Sequence, residues 1–398
     1  MTIKERKQKK PIPKMQKTKA QRIKAQKTKK QKTTTYFDYN LLFIIIFLVC
    51  FGLVMLYSSS SYVAANKYGN STYYLEEQLK KGVLLGGIGM TILTIVDYRV
   101  WKKVGLLAYA GAALLCGAVL IPGLGDSSHG SSRWLVLGPI RFQPSEIAKI
   151  SVIIFLAMLL ERSARKLKKG INLVKIFALL SPLILVVAIS NLSTGIILLG
   201  ISVCMLFVAS PKYSHFGITA LVGIAGIIVL ILLFPYRLGR VTTWLHPEQA
   251  SSDEIYQTLQ GLYAIGSGGL FGKGLGESLQ KMGNVPESQN DMIFPIVCEE
   301  LGLFGAISVI LLFMLLIWRM MVIANNARDL FGSLLVVGVM SHIAIQVILN
   351  IAVVTASIPN TGVILPFFSY GGTSYAFLLC EIGLVLSVSR GIRLESIK

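Results

Sequence analysis

The stretch YQTLQGLYAIGSGGLFGKGLGESLQKMGNVPESQNDMIFPIVCEELG, residues 256–302, is a polar excursion in a chain that otherwise reads as lipid-embedded. It sits within a longer segment, 236–305, that opens in the basic aromatic turn of Tyr236, Arg237 and Arg240 and closes by re-entering apolar sequence. Asp291 stands just before that re-entry, and Glu299 and Glu300 lie inside it. An acid inside an apolar span is expensive and marks a functional site by default. The alternative is that the loop merely joins two helices and its acids pair with buried Lys or Arg.

Outward from this loop the sequence is apolar. The chain is 54% hydrophobic and 15% charged over 398 residues, where a soluble protein carries roughly a quarter charged. Runs of about 20 residues nearly free of charge are long enough to cross about 30 Å of hydrocarbon as helix. Lipid accepts only helices or closed barrels, and continuous rather than alternating runs select helices. The expected fold is therefore all-α and polytopic, with about ten transmembrane helices and a large extracytoplasmic loop between helices 7 and 8. The ten spans fall near 39–56, 83–96, 104–121, 144–160, 173–189, 194–208, 218–234, 292–318, 334–354 and within 364–390, after its Pro/Gly/Ser-rich start.

Charge sets the orientation. Residues 1–34 hold 14 Lys or Arg against one Glu, and such a basic, apolar-poor segment before a span reads as a disordered arm on the cytoplasmic side, drawn to anionic lipid rather than to nucleic acid. With ten spans both termini share that side. The basic links 97–103 and 161–169 fall there too, while loop 235–291, with four basic and six acidic residues, falls outside. This divides the chain into a basic arm (1–37), a membrane domain (38–390) and a short cytoplasmic tail (391–398). Cys50, Cys116, Cys204, Cys298 and Cys380 lie in or beside apolar runs without ligand spacing, as small buried hydrophobes. The four histidines form no zinc pattern.

Polar groups gather at the outer side of this topology. The Gly/Ser-rich loop 122–143 carries Arg133, Trp134 and Arg141. Pro144 suits a first helical turn, and Glu146 and Lys149, three residues apart, share a helix face. The SYGGTS segment, 369–374, precedes the last span. Cations beside acids suit an anionic lipid-linked substrate, and a carboxylate near a sugar hydroxyl can act as general base; Glu146 and Lys149 could equally be a structural ion pair. The glycines of IGSGGLFGKGLGES, 265–278, lack the strand and the GKS or GKT of a nucleotide loop, and fit close backbone packing instead.

Four ordered segments carry a resemblance: SSRWLVLGPIRFQPSEIAK (131–149), YQTLQGLYAIGSGGLFGKGLGESLQK (256–281), PESQNDMIFPIVCEELGLFG (286–305) and NTGVILPFFSYGGTS (360–374). Together they resemble the SEDS family (shape, elongation, division and sporulation). The resemblance implies a peptidoglycan glycosyltransferase that polymerises lipid II, a disaccharide-pentapeptide on undecaprenyl diphosphate, at the outer face of the cytoplasmic membrane. It implies a class B penicillin-binding protein as partner. The family's essential aspartate falls on Asp291, the Glu and Lys of its Gln-Pro-Ser-Glu segment on Glu146 and Lys149, the Arg of Arg-Trp on Arg133 and the second acid of its Glu-Glu-Leu-Gly segment on Glu300. Ser369 lies in the last diagnostic segment. Where many relatives read Gln-Pro-Asp or Gln-Pro-Asn, this chain has Ile189, Ser190 and Asn191, keeping the amide but not the acid or the proline. A divalent cation, Mg or Mn, could bridge diphosphate and carboxylate. By resemblance a division-type member at the septum is favoured, with the basic arm available to cytoplasmic division proteins. The other classes open on the residues alone are a flippase for the lipid-linked precursor and a non-catalytic division scaffold.

Overall fold

The computed structural model describes residues 36–121, 125–128, 131–137, 140–164, 167, 170–210, 213–247 and 252–392. The basic arm and the end of the tail lie outside these residues. The first helix, α1 (Tyr39–Tyr68), starts where the Asp38 side chain accepts from Leu41 N at 2.9 Å, and it ends at Gly69 in the left-handed region, a strong start and stop. A helical run follows in three pieces: α2 (Tyr73–Glu77), a π-helical segment Gln78–Leu84, and α3 (Leu85–Ile95). Next are α4 (Arg99–Ala118), α5 (Pro144–Ser163), α6 (Gly170–Ser190), α7 (Leu192–Ala209), α8 (Tyr213–Leu233) and α9 (Pro235–Leu245). The chain closes with α10 (Ser252–Ser267), α11 (Ile293–Asn325), α12 (Leu330–Val354) and α13 (Gly372–Arg390).

Among the described residues seven helices are long and apolar enough to cross a membrane, or eight if α8 and α9, bent by 99°, are one broken span. Two expected spans fall short of that test for physical reasons. The run 73–95 is divided by its π segment, and α5 carries Glu146, Lys149, Glu161 and Arg162 within 20 residues. Among the described residues the strands form a small antiparallel sheet in the Gly/Ser-rich loop, with β1 (Gly125–Ser128), β2 (Ser131–Leu137) and β3 (Ile140–Phe142) in order β1-β2-β3.

Helix α12 is the axis of the bundle, packing on α5, α7, α11 and α13. Many large apolar side chains point outward, among them Phe43, Leu107, Leu114 and Leu221. In water such a surface would aggregate; in a bilayer it meets its own solvent. The chain is a multi-pass membrane protein.

Helix α11 is broken near its start. Gly302 has φ 65° and ψ −162°, so Ile293–Leu301 forms a short half-helix, and Ile293 to Glu300 are all buried. A break frees backbone carbonyls, which lipid cannot satisfy. The glycine-rich stretch supplies the donors: Lys273 N donates to Glu299 O at 2.9 Å and Gly274 N to Glu300 O at 3.0 Å. A Cβ on Gly272 would meet Glu300 O at 2.1 Å, and one on Gly302 would meet Gly272 N at 2.3 Å. The glycines therefore serve close backbone approach, as their sequence context suggested.

Candidate functional site

The half-helix of α11 carries two acids and Asp291 stands just before it, and the surroundings of the three differ. Glu299 is fully buried and held by Lys273 Nζ at 2.6 Å, by Ser267 Oγ at 3.3 Å, by Ser278 Oγ and by the backbone amides of Leu279 and Gln280. Glu300, also fully buried, accepts from Lys281 Nζ at 2.7 Å and from Ser58 Oγ at 2.7 Å, and Lys281 Nζ also donates to Ser58 Oγ at 3.0 Å. Both acids are neutralised by lysines of the same loop, which turns an expensive burial into a fixed joint between loop, half-helix and α1.

Asp291 is the exception. It is 8% exposed, and among the described residues its carboxylate makes no ion pair. Its own backbone N–H is its near donor, with Glu287 and Arg240 as the charges it feels. Burial pushes its pKa up from 3.8 to about 6, the nearby Glu287 adding to the rise while the backbone N–H and Arg240 oppose it. A carboxylate at that value can take a proton near neutral pH, which one at the ordinary aspartate value does poorly.

The wall opposite Asp291 is the irregular segment between α12 and α13. A Cβ on Gly362 would stand 3.9 Å from Asp291 Oδ2. Asn350 of α12 donates through Nδ2 to Asp291 O at 2.8 Å and Val363 O at 2.7 Å. Tyr370 N donates to Gln289 O at 2.8 Å, and Arg240 Nη1 to Asn360 O at 3.0 Å. The end of the polar loop and the start of the last span are thus stitched together around one carboxylate.

The other expected site residues, where described, are engaged in bonds of their own. Glu146 and Lys149 are buried and pair with each other at 3.0 Å; no hydrogen bond or ion pair among the described residues links them to Asp291. Ser369 is buried, its Oγ accepting from Leu365 N at 2.8 Å and its carbonyl from Gln78 Nε2 at 3.3 Å. Arg133 stands on β2, with its side chain outside the described residues. Asn191 caps α7, accepting from Thr194 N at 3.3 Å. No group of three or more His, Cys, Asp or Glu side chains converges among the described residues, so a divalent cation at Asp291 would draw most of its ligands from substrate oxygens.

Lys273, Lys281, Ser58 and Asn350 are the residues that sequence reasoning missed. Lys273 and Lys281 are the only cations between Arg240 and Asp291, a signal that two buried acids nearby needed them. Asn350 follows His342 and Gln346 at four-residue spacing in an apolar helix, a buried polar stripe legible from helical periodicity.

The chain is similar to known proteins along most of its length. The profile of the FtsW/RodA/SpoVE family, described as cell cycle protein, matches residues 39–394. Stage V sporulation protein E of Bacillus subtilis is 40% identical over 359 residues, covering 89% of this chain and 97% of that protein. The probable peptidoglycan glycosyltransferase FtsW of a Geobacter species is 36% identical, covering 90% and 98%. Among solved structures, a chain from work on how a peptidoglycan synthase complex coordinates polymerization and crosslinking superimposes with a TM-score of 0.72 at 27% identity, covering 89% of this chain and 98% of that one. The rod shape determining protein RodA of Thermus thermophilus gives 0.66 at 26% identity, covering 89% and 97%.

Proposed function

From the premise that the chain belongs to the FtsW/RodA/SpoVE family, we propose that Asp291 is the general base of its reaction. The chain is a peptidoglycan glycosyltransferase of the membrane. In the reaction we assign to it, Asp291 takes the proton of the 4-hydroxyl of the acceptor sugar. That oxygen attacks the anomeric carbon of the lipid II donor, and the undecaprenyl diphosphate leaves. Arg133 and Lys149 stabilise the diphosphate charge as it develops, with Glu146 orienting Lys149. Glu300 and Ser369 act through the fold, holding the half-helix and the last-span turn that flank Asp291.

The observation that carries this reading is the desolvated Asp291, without an ion pair among the described residues, beside two acids that are both paired. The reaction lies at the outer face of the cytoplasmic membrane, with both termini, the arm 1–37 and the tail 391–398 inside and loop 235–291 outside. A class B penicillin-binding protein supplies crosslinking, and cytoplasmic division proteins meet the arm at the septum. The test is polymerisation of labelled lipid II by the purified protein with a crosslinking partner whose transpeptidase is blocked. Long strands from the native chain and none from Asp291→Asn support the assignment. Equal polymer from both removes Asp291 from the chemistry, and lipid II crossing vesicles without polymer replaces the reading with transport.

A further inference from the structure

The segment facing Asp291 is irregular from 359 to 365, and irregular backbone inside a membrane protein needs its carbonyls satisfied by protein. Here side chains do so one by one. Arg240 Nη1 donates to Asn360 O at 3.0 Å, Ser193 Oγ to Thr361 O at 2.9 Å, Asn350 Nδ2 to Val363 O at 2.7 Å and Gln346 Nε2 to Ile364 O at 3.0 Å. These donors come from α9, α7 and α12, so the wall is pinned from several helices. Of the four, Asn350 alone also bonds the Asp291 main chain.

We propose that Asn350 is a positioning residue for the glycosyltransfer reaction: it ties the Asp291 backbone to Val363 and thereby fixes where the Asp291 carboxylate points. The proposal rests on the reading of Asp291 as the base. A primary amide offers two N–H hydrogens from one nitrogen, and both are directed at carbonyls of segments that have no direct bond to each other at this point. Asn350 is fully buried, so water cannot substitute for it. A leucine of similar size removes both donors and frees Asp291 to swing relative to Gly362. A glutamine keeps the amide but displaces it by one methylene.

The experiment compares native protein, Asn350→Leu, Asn350→Gln and Asp291→Asn. Polymerisation kcat and KM for lipid II are measured per folded molecule, counted by size-exclusion fluorescence. Independently of turnover, carbodiimide labelling of Asp291 is followed by mass spectrometry across pH in the native protein and the two Asn350 variants, which leave the Glu287 and Arg240 charges unchanged. For Asn350→Leu the expectation is a kcat lower by roughly 10- to 100-fold, as for a misplacement of about 1 Å, with KM within about threefold and a shifted labelling curve. Asn350→Gln should fall between native and leucine, and it carries the test if leucine fails to fold. Native kcat and a native labelling curve in folded variants overturn the proposal, as does a rise in KM alone. If Asp291→Asn keeps activity while Asn350→Leu still shifts the Asp291 labelling curve, the base assignment fails and the positioning contact stands.

Discussion

Asp291 and Glu300 lie nine residues apart on one stretch of chain, both acids and both buried, and the fold treats them in opposite ways. Glu300 has a lysine and a serine within 2.7 Å. Asp291 has a wall of backbone and a glycine. A buried acid with a cation beside it is a joint, whose removal leaves the other charge stranded. A buried acid without one destabilises the fold whenever it is ionised, and it is tolerated where its reactivity is used. The difference separates structure from chemistry over nine residues of chain.

The largest expected effect breaks the comparison if it fails. Asp291→Asn should lose about 10²- to 10⁴-fold in polymerisation rate, whereas Glu300→Gln should keep near-native turnover per folded molecule. Next comes stability. Lys281→Met strands Glu300 and should cost about 3–5 kcal/mol, seen as a lower thermal midpoint in detergent. The double variant Lys281→Met/Glu300→Gln should recover much of that loss. A single variant as stable as the native chain would show that the pair is no joint.

Asp291 carries the opposite sign. Its folded pKa of about 6 lies above the ordinary 3.8, so folding favours its protonated form. The resulting penalty is absent below the unfolded value, grows as pH rises from 3.8 to 6, and is complete above 6. At about 1.4 kcal/mol per pKa unit it comes to about 3 kcal/mol. Asp291→Asn should therefore be more stable than the native chain at pH 7, with the gap closing towards pH 4, while native activity rises with pH through about 6 and levels off. Thermal midpoints of both proteins across that range, beside a pH–rate profile, check both statements.

How much of this was legible follows from the distances over which each interaction acts. Helix starts at Asp38 and Pro144 and the break between 190 and 192 are local, and the sequence carries them openly. Asp291 stood out because a polar loop meets an apolar run there. The span count was harder: a π segment and four charges hide two helices from any test of length and apolarity. The loop around Arg133 folds as a sheet in which its apolar, β-branched and aromatic pieces RWLVL and IRF pair, a signal overshadowed by its Gly/Ser content. The Lys281–Glu300 pair joins residues 19 apart through a non-repeating loop. The Asn350 contact spans 59 residues and ends on a backbone carbonyl, which no side-chain pattern records.

Ser369 provides the smallest and most discriminating case, because its sequence position placed it among the site residues and its geometry resembles that of Glu300. Its Oγ accepts from Leu365 N at 2.8 Å, its N–H donates to Leu365 O at 3.1 Å, and its carbonyl takes the Gln78 amide. The two Leu365 bonds close the turn before α13, and the Gln78 bond ties that turn to the π-helical segment. Ser369→Ala removes only the Oγ bond and leaves the Leu365 N–H buried without a partner, a loss of about 1–3 kcal/mol. If partnered polar groups in this region are joints, polymer yield per folded molecule should stay within about twofold of native while the thermal midpoint drops by a few degrees. A tenfold loss of rate at unchanged stability would instead put Ser369 with Asp291. Pairing would then no longer distinguish structure from chemistry here, and Glu300 would have to be reconsidered on the same ground.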